Sequence, residues 1–316
     1  MSDFLEPERN NPWNFVADEL RYEGKLYHYT DKKGCDGIFE PHNTCGKKVE
    51  LPKNCVALRL TKISSMTKND DNERRHICDT VKEATNKLLE NKLISQEFAD
   101  RVNSFDVTDE RNYTIKLAKK DSELGNEILK LGFGKVDYYV ACFSTNKDNE
   151  GIMKSFHAPI RLSFNTAFSN PYQGNVCNNG YNFVLSSYYP RIEPYSVLKE
   201  CDLMLMLGNV IYDKGTKSSI IQRELCSIYN NYQDLNTEES IKDMVYKIED
   251  MFSVYDAFFK SEKHSYEEEV RLVICIPQDK RYTYFKKNII FDGESDKYMY
   301  LPVNKDFIIG CDDDGN

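Results

Sequence analysis

The chain has 316 residues, 40% of them hydrophobic, with 51 Asp and Glu against 42 Lys and Arg and a formal charge of -9. That length suits one large domain or two small ones, and the composition is that of an ordinary globular protein with ample apolar content for a core. The acidic excess argues against a broad phosphate-neutralising surface, and so against duplex DNA as a partner, while leaving room for a local basic groove.

In chain order, residues 1–25 read as an irregular lead-in with a short helix, and KLYHYT at 25–30 reads as a strand. Asp31, Lys32 and Gly34 supply turn chemistry before a brief helix at 35–39, and a strand at 56–61 leads into a polar loop at 64–75. Val81, Ala84, Leu88, Leu89, Leu93, Ile94, Phe98 and Val102 recur at helical spacing, predicting one or two amphipathic helices over 78–105 with a break near Lys92. Another helix is predicted at 122–131. Strands follow at 137–144, 159–164, 182–189 and 207–212, each β-branched, aromatic or alternating and bounded by Gly, Pro or Asn. Helices return at 218–232 and 238–260, the second behind the cap candidates Asn236 and Thr237. Strands at 269–276, 284–291, 298–302 and 307–309 close the chain, and GCDDDGN reads as a frayed or truncated tail. The expectation is a single α+β domain over 1–316, with a helical insertion at 78–131 and a split, mostly antiparallel sheet with peripheral helices.

The ten cysteines contain no C-x-x-C pair, and several lie in apolar strand-like runs, which suits free thiols in a reducing cytoplasm and points to no metal site. No stretch approaches the roughly 20 apolar residues of a membrane span, so a soluble protein with no membrane partner is expected.

The most informative stretch is Tyr266-Glu267-Glu268-Glu269-Val270-Arg271-Leu272-Val273-Ile274, a predicted strand that begins in three acids and runs into the core. Alternation would put Glu267, Glu269 and Arg271 on one face and Val270, Leu272 and Ile274 on the other. Charges carried into an apolar layer need partners or a polar ligand, so the row is either a site or an edge-strand charge ladder that discourages aggregation. His28, Tyr29 and Thr30 end the first strand as a polar triplet placed to enter a cleft, or as a core-rim histidine bonded to a carbonyl. Asn69, Asp70 and Glu73 lie in a polar loop whose default reading is a solvated turn. Ser144 and Thr145 end an apolar strand, where they bind a ligand or only terminate it. Cys142 is a poor nucleophile, because apolar neighbours raise a thiol pKa.

Five motifs in this order resemble the bacterial domain of unknown function 2971 family: Leu26–Thr30, the Asn69-Asp70-Asp71-Asn72-Glu73 loop, Cys142-Phe143-Ser144, Glu267–Arg271, and Ile308-Ile309-Gly310. The chain departs from that pattern after Ser144, where Gly151-Ile152-Met153 and His157-Ala158-Pro159 replace a tryptophan and a Gly-rich stretch. The order of polar strand ends also resembles NAD-dependent ADP-ribosyltransferases. That resemblance implies that His28 hydrogen-bonds the ribose or phosphate of NAD, Tyr29 lines the nicotinamide pocket beside Thr30, and Ser144 with Thr145 braces the ribose. It further implies that Glu269 holds the 2′-hydroxyl, Glu267 orients an acceptor, and Arg271 favours ionised Glu269 or contacts the pyrophosphate. A carboxylate in this place would stabilise the oxocarbenium ion formed when nicotinamide leaves.

The activity so implied is an intracellular transferase that moves ADP-ribose from NAD to an unknown macromolecule, or hydrolyses NAD, as a toxin or phage-defence effector would. Two other classes stay open. One is a non-catalytic nucleotide-sensing or partner-binding module in which the acids and Arg271 form a structural ion-pair network. The other is a metal-dependent nuclease using Asp70, Glu73, Glu267 and Glu269.

Overall fold

The computed structural model describes residues 17–20, 22, 24–43, 45–51, 55–66, 75–106, 114–115, 136–164, 204–232, 237–277, 290–291, 297–305 and 308–313. In chain order its elements are β1 (Leu26–Thr30), α1 (Lys32–Phe39), β2 (Cys55–Lys62), α2 (Ile63–Met66), α3 (Arg75–Glu90) and α4 (Gln96–Val102). Next come β3 (Phe105–Asp106), β4 (Thr114–Ile115), β5 (Val136–Ser144), α5 (Glu150–Phe156), β6 (Ile160–Phe164) and β7 (Met204–Asn209). The last are α6 (Lys214–Tyr232), α7 (Glu238–Phe258), β8 (Glu269–Pro277), β9 (Ile290–Phe291), β10 (Tyr298–Asn304) and β11 (Ile308–Asp313). The class is α+β with a mostly antiparallel sheet, and among the described residues no helix is long and apolar enough to cross a membrane.

The expected single domain resolves into two compact units. The first is helical and is assembled from 1–20, 67–137 and 211–262, so the predicted insertion and the later helices belong together. The break foreseen near Lys92 is real: α3 stops at Glu90, Lys92 turns left-handed at φ 58°, and Ser95 caps α4 by accepting from the Phe98 amide. Thr237 caps α7 in a capping box with Ser240. The predicted helix at 122–131 lies outside the described residues.

Inside this unit Tyr255, fully buried on α7, donates its hydroxyl to Glu224 Oε1 of α6 at 3.0 Å, and Arg223 pairs with Glu19 at 2.8 Å. Burial pushes the Glu224 carboxyl up to about 7, with Glu19 adding to the rise and Tyr255 and Arg223 opposing it. A carboxyl whose folded pKa lies above its unfolded one contributes most stability at low pH, and that contribution fades as pH rises from about 4.5 through about 7. Glu224→Gln, which keeps an acceptor for Tyr255, is therefore expected to match the parent protein in urea melts at pH 5. At pH 8 it should exceed the parent by about 1–3 kcal/mol. Equal offsets at both pH values would refute this account of Glu224.

The second unit is the sheet, in the order β11-β6-β1-β5-β2-β10-β9, with β8 branching from β5 and carrying β7. Leu26, Leu58, Leu60, Phe143, Leu162, Phe164, Val270, Leu272, Ile274, Met299 and Leu301 make one apolar cluster, which marks one face of every long strand. The opposite face is mixed: Tyr27 pairs with Ser144, Tyr29 with Arg161 and Tyr300 with Arg59, while Ala57 and Tyr300 pack with Val49 in a smaller apolar cluster. Two boundaries differ from the sequence reading, and a third is only partly within the described residues. β7 starts at Met204 and ends at Asn209, earlier than 207–212, and only 290–291 of the strand expected at 284–291 is described. The supposed tail from Gly310 to Asp313 is strand, paired with β6 through a bulge after Ile308. The strand expected at 182–189 lies outside the described residues. Cys45, Cys226 and Cys311 are free thiols.

Candidate functional site

The strand expected to begin at Glu267 begins two residues later. The Ser265 carbonyl accepts the Glu268 amide, Glu267 closes a two-turn 3-10 helix at 262–267, and Glu268 sits left-handed at φ 44°, which ends the alternation there. Glu267 therefore does not join Glu269 and Arg271 on a strand face. It is buried with Oε1 3.1 Å from His264 Nδ1, while Glu268 is exposed.

Glu269 and Arg271 do share a face, opposite Val270, Leu272 and Ile274. Arg271 Nε donates to Glu269 Oε1 at 2.8 Å and Nη2 to Oε2 at 3.3 Å, a fork occupying both carboxylate oxygens. Both residues are almost sealed from solvent, at 5% and 2% exposure, and Gly208 of β7 stands directly across from Arg271.

The other sequence-derived candidates fall into two groups. β5 is a neighbour of both β1 and β8, so Tyr29, Ser144 and Thr145 are brought beside the entry to β8, and the Thr145 amide donates to the Glu268 carbonyl at 3.0 Å. His28 and Thr30 are not. They stand on the face of β1 that carries Leu26, and His28 meets Phe143 of the apolar cluster edge-on at 5.7 Å. The imidazole and the acidic pair thus do not face each other across one pocket, which corrects the arrangement expected from the sequence. His28 Nδ1 lies 3.0 Å from the Cys142 carbonyl, the core-rim alternative, and burial lowers its pKa, with the Arg59 charge adding to the fall. That contact places the ring proton on Nδ1. Thr30 packs its hydroxyl against Gly34 in the first turn of α1, where no β-carbon would fit, and Asp31 caps that turn.

Tyr29, expected in a nicotinamide pocket, instead holds the turn after β5. Its hydroxyl accepts from the Asn149 amide at 2.9 Å and faces the Asn146 and Lys147 carbonyls at 2.7 and 2.6 Å. Burial raises its pKa, so it serves as a permanent donor. Ser144 is likewise turned inward, its hydroxyl accepting from the Asn146 amide at 3.2 Å and from Asn149 Nδ2 at 3.4 Å.

Two residues that the sequence reading passed over complete the network. Asn149, 4% exposed, caps α5 by accepting from Ile152 at 3.0 Å and donates Nδ2 to the Tyr266 carbonyl at 2.7 Å. Arg161 is buried on β6 and donates to the Lys147 carbonyl, to Asp148 and to Asp312, whose carboxyl it holds below the usual range. The signal for Arg161 was present: Ile160-Arg161-Leu162-Ser163-Phe164 alternates as β8 does, with a charge on the face away from the core. Asn149 gives no such signal, because Asn in a loop has many uses.

Taken together, Tyr29, Ser144, Asn149, Arg161 and the 266–271 segment form a polar face linked by these hydrogen bonds. Asn69, Asp70 and Glu73 lie outside the described residues. Among the described residues, no group of three or more His, Cys, Asp or Glu side chains is arranged to hold a metal ion. No family model, no curated protein and no solved structure matches this chain.

Proposed function

We propose that this chain is a non-catalytic recognition module for a nucleotide-like ligand, and that Glu269 and Arg271 brace its sheet internally. The observation that carries the proposal is the fork between them. A carboxylate that assists departure of nicotinamide must face the ribose where positive charge develops, and Glu269 instead gives both oxygens to a guanidinium in a nearly dry setting. The ligand class follows from the resemblance of the strand-end motifs to nucleotide-using proteins.

The second reading is an ADP-ribosyltransferase-like enzyme that uses NAD as substrate, with an unknown macromolecular acceptor, acting as a toxin or phage-defence effector. What favours it is the placement of β5 between β1 and β8, which sets Ser144 and Thr145 beside Glu267 and Glu269 as that plan requires. One measurement separates the two. Purified protein incubated with NAD is expected to gain melting temperature, since a ligand that binds only the native state stabilises it, without releasing nicotinamide. Nicotinamide release that disappears in Glu269→Gln would replace the first reading with the second.

A further inference from the structure

Within the helical unit, the short 3-10 turn Asp18–Leu20 is fastened to α6 and α7 at three points. Leu20 is fully buried and Ala17 nearly so. Arg223 of α6 donates Nη2 to both oxygens of Glu19, at 2.8 and 2.9 Å. The Tyr255 hydroxyl of α7 is hydrogen-bonded to the Ala17 backbone and donates to Glu224 Oε1 at 3.0 Å, so one phenol ties the turn to the Glu224 carboxyl.

Two carboxyls are thus gathered around one guanidinium, and that guanidinium is forked to Glu19. Among the described residues Glu224 has no cation of its own. Arg223 favours its ionisation and Glu19 opposes it, while burial outweighs both. The helix α3 packs on α6 and α7, but its Glu83 is paired with Lys214, and neither its Asp79, Lys82, Lys87 and Glu90 nor Lys247 and Asp256 of α7 act on Glu224. With Glu224 protonated the cluster is neutral. Ionised, it carries one unbalanced negative charge beside a buried ring, and that charge is relieved only when water reaches it. The turn is the cheapest piece to move: four residues held by Leu20 and by a partly exposed ion pair, against helices of 19 and 21 residues.

We propose that Glu224 is the catch of a proton-operated latch, ionisation releasing Ala17–Leu20 from α6 and α7 and protonation fastening it. The proposal does not depend on the recognition reading. The fastened carboxyl holds its proton up to about pH 7 and the released one only to its ordinary 4.5, so opening grows as pH rises between those values and levels off above them. The test is amide hydrogen exchange on the full chain, corrected for the intrinsic effect of pH, with the Leu20 amide as probe, since it is bonded to the Ala17 carbonyl at 3.0 Å. From pH 5 to pH 7.5 its protection is expected to fall by about tenfold or more, out of the roughly fiftyfold that complete solvation of one carboxyl would give. Glu224→Gln, which keeps an acceptor for Tyr255, should hold the pH 5 protection at both values. Urea below its denaturing range should speed exchange in the buried turns of α6 and α7 but not at Leu20, because a local opening exposes little surface. Leu20 protection that is equal at the two pH values, or a fall that Glu224→Gln retains, overturns the latch. Leu20 exchange that rises with urea in step with the helices also overturns it, because the turn then opens only when the whole unit does.

Discussion

Glu269→Gln is expected to lower the stability of the protein by about 3–5 kcal/mol, because it leaves the buried charge of Arg271 facing an amide instead of the carboxylate it is forked to. The same change in an exposed catalytic acid would leave the melting curve nearly unmoved. The paired variant Glu269→Leu with Arg271→Met removes both charges together, and apolar side chains of similar volume should recover most of that loss. Urea denaturation of the single and paired variants provides the check. A single variant within about 0.5 kcal/mol of the parent would mean that the fork is not a structural element, and the recognition reading would lose its support.

Asn149→Ala is expected to cost about 2–4 kcal/mol, through two losses at one residue: the cap on α5 and the donor to the Tyr266 carbonyl. Asn149→Asp separates them, since a carboxylate still caps the helix but cannot donate to a carbonyl, and roughly half the loss should remain. The effect should be local, because Gly151 in the first turn of α5 packs so closely on Tyr266 that a β-carbon there would stand 2.8 Å from its ring. Hydrogen exchange that loosens 144–156 and 264–268 together in Asn149→Ala would confirm one interlocked turn. A loss confined to α5 would reduce Asn149 to a cap alone.

How much of this was legible depended on where periodicity stayed unbroken. β1, β5, β6 and β8 were found close to their true places because each alternates over five or more residues, and Thr237 because a hydroxyl precedes a long apolar stripe. The relation of His28 to Glu269 was lost for the same reason that the strands were found. Strand ends can be read in order from the sequence, but which face each presents depends on pairing register, and a one-residue difference moves a side chain to the other side. Glu267 was misplaced by the left-handed Glu268, a residue type that gives no warning of positive φ. The joining of α3 and α4 with α6 and α7 was invisible because their amphipathic stripes announce burial without saying against what.

The branching of the sheet at β5 also sets a schedule on the birth of the chain. β5 emerges from the ribosome with β1 and β2 already made, but its third neighbour β8 begins roughly 125 residues later, a wait on the order of ten seconds at roughly 5–20 residues per second. Through that interval a nascent chain holds out an unpaired backbone edge and the bare side of Phe143, the kind of surface that chaperones shield and that crowded translation turns into aggregates. Low-temperature expression with a slowed ribosome would prolong that exposure, so yield should follow chaperone supply more closely than it follows the stability of the finished fold.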